Sequence, residues 1–197
     1  MGASAGGVDA LSTVIGALPV DLPAVVMVVL HVAPDGYSAL PQILARAGSL
    51  PVHHAIDGER VEPGVVYVAP PDVHLLLDDG CVVLDAGPER DTPRPSIDRL
   101  FASAAEQRGS AVVGVVLSGM LDDGTAGLQA IARHGGIGVV QDPDDAAFPS
   151  MPASAARSGG ATHVVPLAAV GPLVDRLVRR RLDPAAATPT SVGEERT

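Results

Sequence analysis

Short, continuous runs of β-branched and aliphatic residues alternate along this chain with stretches of helical periodicity. Strands that are buried on both faces read as continuous apolar runs, and such strands are typical of parallel sheets covered by helices. Eight runs predict strands, at residues 24–30, 52–56, 65–69, 73–77, 81–84, 111–117, 137–141 and 163–165. Five stretches predict helices, at 8–18, 38–47, 96–107, 125–134 and about 167–182. We therefore predict an α/β fold with a doubly wound, mostly parallel sheet and helices on both faces.

Residues 65–84 depart from this alternation, because three short predicted strands follow one another there without a helix. They are joined by Pro70-Pro71-Asp72 and by Asp78-Asp79-Gly80, which are typical turn sequences. This spacing predicts an antiparallel hairpin region at one edge of the sheet. The length of 197 residues fits one domain, which we assign to residues 1–182. Residues 183–197 are rich in Pro, Ala and Thr and predict a disordered tail.

Composition excludes several functional classes. The formal net charge of −10 argues against a nucleic-acid partner. All 13 basic residues are Arg, so the chain has neither the lysine of a phosphate-binding P-loop nor a Schiff-base lysine. The single cysteine excludes an internal disulfide, and no metal-ligand spacing occurs, so we expect neither a metal nor a cofactor. We also predict a cytoplasmic protein with no membrane insertion, because no signal peptide is recognisable and the apolar runs reach only about seven residues.

The first candidate site is Gly2-Ala3-Ser4-Ala5-Gly6-Gly7, directly before a predicted helix. As G-x-S-x-G, it is similar to a nucleophile elbow, in which a sharp turn presents the serine hydroxyl. Two other interpretations remain open: a glycine-rich turn that binds phosphate at the helix N-terminus, and a tight turn capped by Ser4 with no chemical role. A dinucleotide-binding fingerprint does not fit, because Ser4 stands in the place of its middle glycine.

Two further candidates follow predicted strands. His31 ends the run 25–30, and an imidazole there can take a hydroxyl proton near neutral pH. Asp122 and Asp123 follow the run 111–117, and a carboxylate there can orient a histidine ring. A strand-end histidine and a helix-capping aspartate are the structural alternatives. Because the carboxyl ends of parallel strands meet at one edge, a serine, a histidine and an aspartate would converge there, as acyl transfer requires.

In their order along the chain, these motifs resemble the catalytic domain of the chemotaxis protein-glutamate methylesterases (CheB type). The matching segments, between residues 2 and about 155, are Gly2 to Gly7, His31 before Pro34, Tyr67-Val68-Ala69-Pro70 followed by Asp72 and His74, Arg94-Pro95-Ser96-Ile97-Asp98, Leu117 to Gly127, Gln141, and Met151-Pro152. The resemblance implies a doubly wound α/β serine hydrolase. Such an enzyme removes methyl esters from glutamyl residues on chemoreceptor cytoplasmic helices, and some members also deamidate glutamines.

The resemblance also implies a role for individual residues. Ser4 matches the nucleophile and His31 matches the general base. Asp123 matches the acid that orients the histidine, because the family's acid directly precedes a glycine, here Gly124. The order along the chain is then Ser, His, Asp, which differs from the order in α/β-hydrolases, so the G-x-S-x-G motif does not imply that fold.

For the oxyanion hole, the resemblance indicates the backbone N–H groups of Ala5 and Met120, which suits a chain without any Asn. Arg94 is the candidate for contacting acidic flanks of the receptor, with a surface ion pair as the alternative. Family catalytic domains usually follow a receiver domain, which does not precede Met1 in this sequence, so the regulatory partner stays open. The family also has an apolar strand before the Ser4 turn, and only Met1 stands in its place. We therefore expect a truncated leading strand with a natural start upstream, and the alternative function is a catalytically impaired module that binds receptors or partners.

Overall fold

The computed structural model describes residues 1–32, 38–87 and 94–182, and its main feature is a parallel sheet of seven strands. In chain order, the strands are β1 (Gly2–Ala3), β2 (Val26–Leu30), β3 (Val52–His54), β4 (Val66–Val68), β5 (His74–Asp78), β6 (Cys81–Asp85), β7 (Val113–Val116), β8 (Ile137–Gln141) and β9 (His163–Val165). The main sheet has the order β3-β4-β2-β1-β7-β8-β9. From β1 the chain first builds one half of this sheet and then the other, which confirms the predicted doubly wound fold.

Six helices cover the two faces of the main sheet. They are α1 (Gly7–Gly16), α2 (Leu40–Ala47), α3 (Ile97–Arg108), α4 (Thr125–Arg133), α5 (Ser150–Arg157) and α6 (Leu167–Leu182). Buried side chains of α1, α2 and α6 form one core with the sheet, and those of α3, α4 and α5 form a second core on the other face. Among the described helices, none has both the length and the apolar character needed to cross a lipid bilayer.

The predicted hairpin is confirmed, but it forms a sheet of its own. Strands β5 and β6 pair antiparallel, from His74 opposite Asp85 to Asp78 opposite Cys81, and β5 packs on α3. Their two-residue turn, Asp79-Gly80, has positive φ angles at both positions, as a type I′ turn requires. The remaining predicted strand of this region, β4, joins the parallel sheet, where it pairs with β2 on one side and β3 on the other. All three of its residues are buried.

Two elements differ from the sequence prediction. Helix α5 was not predicted: it is only eight residues long and contains Pro152, so its helical signal is weak. The leading strand is short but present, since β1 lies at the centre of the sheet between β2 and β7. The carbonyl of Met1 extends this pairing by accepting from the Val29 N–H at 2.9 Å. The predicted tail, 183–197, lies outside the described residues.

The amino group of Met1 is buried directly before β1, where it donates to the carbonyl of Met27 in β2 at 2.7 Å. Burial lowers the pKa of this ammonium from 8.0 to about 5. Between these two values the unfolded chain holds a proton that the folded chain has released, so stability rises as the pH rises from 5 to 8. At one pKa unit per 1.36 kcal/mol, the cost is on the order of 4 kcal/mol below pH 5 and falls to about 1 kcal/mol at pH 7.

We therefore expect residues added ahead of Met1 to stabilise the protein, because a peptide bond replaces the buried ammonium. The gain in the free energy of unfolding should be larger at pH 5 than at pH 8. Urea denaturation of the chain with and without about six added residues measures this difference. A gain that is independent of pH would show that new packing, and not the loss of the ammonium, is the cause.

Candidate active site

The sheet register places Ser4 beside His31. Strand β1 pairs with β2 so that Ala3 lies opposite Leu30, and each strand then continues by one residue, to Ser4 and to His31. The His31 N–H donates to the Ala3 carbonyl at 3.2 Å. Since neighbouring strands lie about 4.8 Å apart, the two residues are adjacent at the carboxyl edge of the sheet. On its other side, the Ser4 N–H donates to the carbonyl of Ser118, which follows β7.

The His31 imidazole is held by Asp123, with Nε2 at 2.7 Å from Oδ2. The side chains of His31 and Asp123 are 19% and 11% exposed, so water screens this pair weakly. Burial alone would raise the pKa of Asp123, but hydrogen bonds from His31 and from the N–H groups of Asp98 and Ile97 outweigh burial and hold it below its usual value. Asp123 is therefore an ionised acceptor that fixes the orientation of the ring.

The third contact, between Ser4 and His31, is not formed. The Ser4 hydroxyl and the Nδ1 atom of His31 have no hydrogen-bond partner among the residues that the structure describes. Because Nε2 is occupied by Asp123, Nδ1 is the nitrogen left to receive a proton from the adjacent serine. Catalytic hydrogen bonds are often long without substrate, so the open contact is compatible with a triad.

The carboxylate of Asp123 also caps the N-terminus of α3. Its oxygens accept from the backbone N–H groups of Ile97 at 2.8 Å and Asp98 at 3.0 Å, and from the Ser96 hydroxyl at 3.2 Å. In return, Oδ1 of Asp98, in the first turn of α3, accepts from the Gly127 N–H of α4 at 2.6 Å. The two helix N-termini thus cap each other through two aspartates, and no spacing in the sequence indicates this arrangement.

Two substitutions at Asp98 separate the roles of its oxygen and its charge. We expect Asp98→Ala to lower the free energy of unfolding by about 1–3 kcal/mol, because the Gly127 N–H loses its acceptor. Burial, with the nearby charge of Asp123, raises the pKa of Asp98 although backbone hydrogen bonds oppose the shift. Its contribution to stability therefore falls as pH rises through the titration of this carboxyl. Asp98→Asn should gain on the wild type as the pH rises above the ordinary aspartate pKa of about 4, which urea denaturation measures. A difference that is independent of pH would contradict this account.

The turn from Ser4 to Gly7 presents the candidate nucleophile at the N-terminus of α1. The Gly7 N–H donates to the Ser4 carbonyl at 2.8 Å, and Gly6 has φ 70° and ψ 3°, a left-handed conformation that favours glycine. The backbone N–H groups of Ala5 and Met120 donate to none of the described residues, whereas the N–H of Ser4 donates to Ser118. Ala5 and Met120 thus offer unpaired donors, as an oxyanion hole needs.

Other candidate residues lie in different surroundings. The Arg94 guanidinium forms an ion pair with Asp72 at 2.7 Å and donates to the Ala86 carbonyl, so the ion pair considered as an alternative is present and its contact with a receptor stays a prediction. The side chain of Asp122 is exposed. Within the described residues there is no group of three or more His, Cys, Asp or Glu side chains that could hold a metal ion.

A parallel α/β sheet with a serine, a histidine–carboxylate pair and unpaired N–H groups at its carboxyl edge has the features of a serine hydrolase. The family model of the CheB methylesterases matches residues 1–174. The chain belongs to the CheB methylesterase family.

Relatives and a solved structure agree with this family. A Leptospira interrogans protein, provisionally named a protein-glutamate methylesterase/protein-glutamine glutaminase, is 34% identical over 93% of this chain and 95% of its own length. A protein-glutamate methylesterase/protein-glutamine glutaminase of Pseudomonas syringae is 38% identical over 87% of this chain, and the matched part is 52% of that protein. The crystal structure of the Thermotoga maritima CheB methylesterase catalytic domain superposes with a TM-score of 0.85 and 34% identity, covering 90% of this chain and 96% of that domain.

Proposed function

We propose that this chain hydrolyses methyl esters of glutamyl side chains on the cytoplasmic helices of chemoreceptors, and side-chain amides of glutamines on the same helices. Membership of the CheB methylesterase family and the names of its relatives support both reactions. The observation that carries the proposal is the register that sets Ser4 beside His31 while Asp123 occupies the far nitrogen of the same ring.

The acylation step follows from this arrangement. Nδ1 of His31 takes the hydroxyl proton of Ser4, and Oγ of Ser4 forms a bond to the γ-carbonyl carbon of the methylated glutamate. The resulting imidazolium is stabilised by the ionised Asp123. When the tetrahedral intermediate collapses, the bond to the methoxy group breaks, and His31 returns the proton to the leaving methanol. With glutamine, the leaving group is ammonia instead.

Negative charge develops on the carbonyl oxygen during this step. The N–H groups of Ala5 and Met120 would donate hydrogen bonds to this oxygen, because both are unpaired among the described residues and lie on the loops that follow β1 and β7. One such donor typically contributes about 3 kcal/mol to transition-state stabilisation. In the second half of the reaction, His31 removes a proton from water, which attacks the acyl-enzyme and releases glutamate with Ser4 restored.

Methanol release from methylated receptor fragments tests the proposal directly, with ammonia release from the glutamine forms as the second readout. A fluorophosphonate probe, which reacts with activated serines, should label the protein at Ser4, as peptide mapping would show. Absence of methanol, ammonia and labelling in a folded protein would overturn the proposed hydrolase function. Labelling without methanol release would leave a serine hydrolase and exclude these receptor esters as its substrate.

A further inference from the structure

We propose that the hydroxyl of Ser118 is a positioning group that fixes the two oxyanion donors relative to each other. The inference rests on the proposed function, because it concerns the N–H groups of Ala5 and Met120. Ser118 lies directly after β7 and is buried, with 1% of its surface exposed. It belongs to the segment Leu117 to Gly127 that matches the family. In that segment Asp123 and the Met120 N–H have proposed roles, and Ser118 so far has none.

Every polar group of Ser118 is hydrogen-bonded to a different part of the site. Its hydroxyl donates to the Ala5 carbonyl at 2.9 Å and accepts from the Phe148 N–H at 3.0 Å. Its N–H donates to the buried Gln141 side chain at 2.9 Å, and its carbonyl accepts from Ser4. The side chain therefore joins the Ser4 turn to the loop before α5.

The bond to the Ala5 carbonyl selects one form of the Ser4–Gly7 turn. The turn is type II, because Gly6 has φ 70° and ψ 3° whereas the φ angle of Ala5 is not positive. Type I and type II turns differ by a rotation of about 180° of their central peptide, which here carries the Ala5 carbonyl. A donor on that carbonyl holds this peptide in the type II orientation, and Ser118 supplies this donor. The restrained peptide directly follows the one that carries the Ala5 N–H, so the bond restrains the backbone of Ala5.

The same residue also fixes the second donor. Met120 is two residues further along the chain, and the intervening Gly119 N–H donates to the carbonyl of Phe148 at 3.0 Å. Since the Phe148 N–H is in turn held by the Ser118 hydroxyl, this loop and the Ser4 turn share one hydrogen-bonded anchor. Without the hydroxyl, the Ser4 N–H still donates to the Ser118 carbonyl, but the Ala5–Gly6 peptide and the Phe148 N–H lose their common partner. The position of Ala5 relative to the Met120 loop is then held less tightly.

The expected effect is on turnover rather than on substrate binding. The oxyanion exists only in the transition state, so displaced donors lower kcat while KM stays nearly constant. A displacement of about 1 Å costs on the order of 10²-fold in rate. We expect Ser118→Ala to lower kcat for methanol release about 10²-fold, with KM within about twofold of the wild type and an unchanged pH profile, because His31 and Asp123 are untouched.

Ser103→Ala is the matched control. The Ser103 hydroxyl, in α3, likewise donates to one carbonyl and accepts from one N–H, those of Leu100 and Leu77. Its removal should lower the melting temperature but leave kcat unchanged. If Ser118→Ala does not fold, Ser118→Cys keeps a side chain of similar volume with a weak hydrogen-bond donor, and it should show the same fall in kcat to a smaller degree.

The outcomes distinguish the inference from the proposed function. A folded Ser118→Ala protein, or Ser118→Cys in its place, with wild-type kcat would overturn the positioning role while methanol release by the wild type upholds the function. A loss that appears in KM alone, or equally in Ser103→Ala, would also overturn it. An inactive wild type that a fluorophosphonate fails to label would overturn the proposed function itself. A fall in kcat confined to Ser118 variants supports the inference.

Discussion

Replacing Ser4 by alanine is expected to lower kcat for methyl-ester hydrolysis by about 10⁶-fold, the loss typical when a nucleophilic serine is removed. Without Oγ no acyl-enzyme forms, so fluorophosphonate labelling should disappear as well. The residual rate would come from the oxyanion donors and from binding. The fold should survive, because the Ser4 hydroxyl has no hydrogen-bond partner among the described residues and its loss leaves no buried group unpaired.

This combination of lost activity and retained stability is the informative result. Activity is measured by methanol release and stability by thermal unfolding of the same sample. Ser12→Ala is the control, because the Ser12 hydroxyl lies exposed on α1 and bonds only to the Val8 carbonyl of its own helix. It should match the wild type in both measurements. A Ser4→Ala protein that still releases methanol at a wild-type rate would remove Ser4 from the reaction.

The main sheet could be predicted from the sequence because its signal is local. Runs such as 137–141 are rich in Ile and Val, and the strand Ile137–Gln141 begins and ends where the pattern does. Helix α6 likewise keeps its predicted bounds, Leu167–Leu182. Helix α5 was missed because its stability comes from burying Met151 and Ala155 against the sheet, a tertiary effect that eight residues with an internal proline do not reveal.

The site was predictable only in part. Strand ends identified His31 and the Asp122-Asp123 pair, since parallel strands deliver their carboxyl ends to one edge. The resemblance, and not the spacing, separated Asp123 from Asp122, and in the structure only Asp123 contacts the ring. The anchor at Ser118 could not be predicted, because its hydroxyl bonds to residues distant in sequence. Ala5 lies 113 positions before Ser118, and Phe148 lies 30 positions after it.

Asp123→Asn is expected to lower kcat by about 10⁴-fold, because the amide changes the tautomer of His31. If the amide N–H₂ of the new side chain faces Nε2, the ring proton moves to Nδ1, which then cannot take the proton of Ser4. If its oxygen faces Nε2, the N–H₂ points at the Asp98 and Gly124 N–H groups that now donate to Oδ1 at 3.0 Å. In the first orientation the N–H₂ also faces the Ile97 N–H, which now donates to Oδ2 at 2.8 Å, so either orientation sets a donor against a donor.

Asp123→Asn should also lower the free energy of unfolding by about 2–3 kcal/mol, because the α3 N-terminus loses its hydrogen bonds to a charged carboxylate. Kinetics therefore have to be measured where circular dichroism shows the variant folded. Asp122→Asn is the matched control: its side chain is exposed, so kcat should stay within twofold and stability within about 0.5 kcal/mol. Wild-type turnover in folded Asp123→Asn would mean that His31 acts without an orienting carboxylate. Equal losses of kcat in Asp123→Asn and Asp122→Asn would assign the effect to the charge of this loop and not to the hydrogen bond on Nε2.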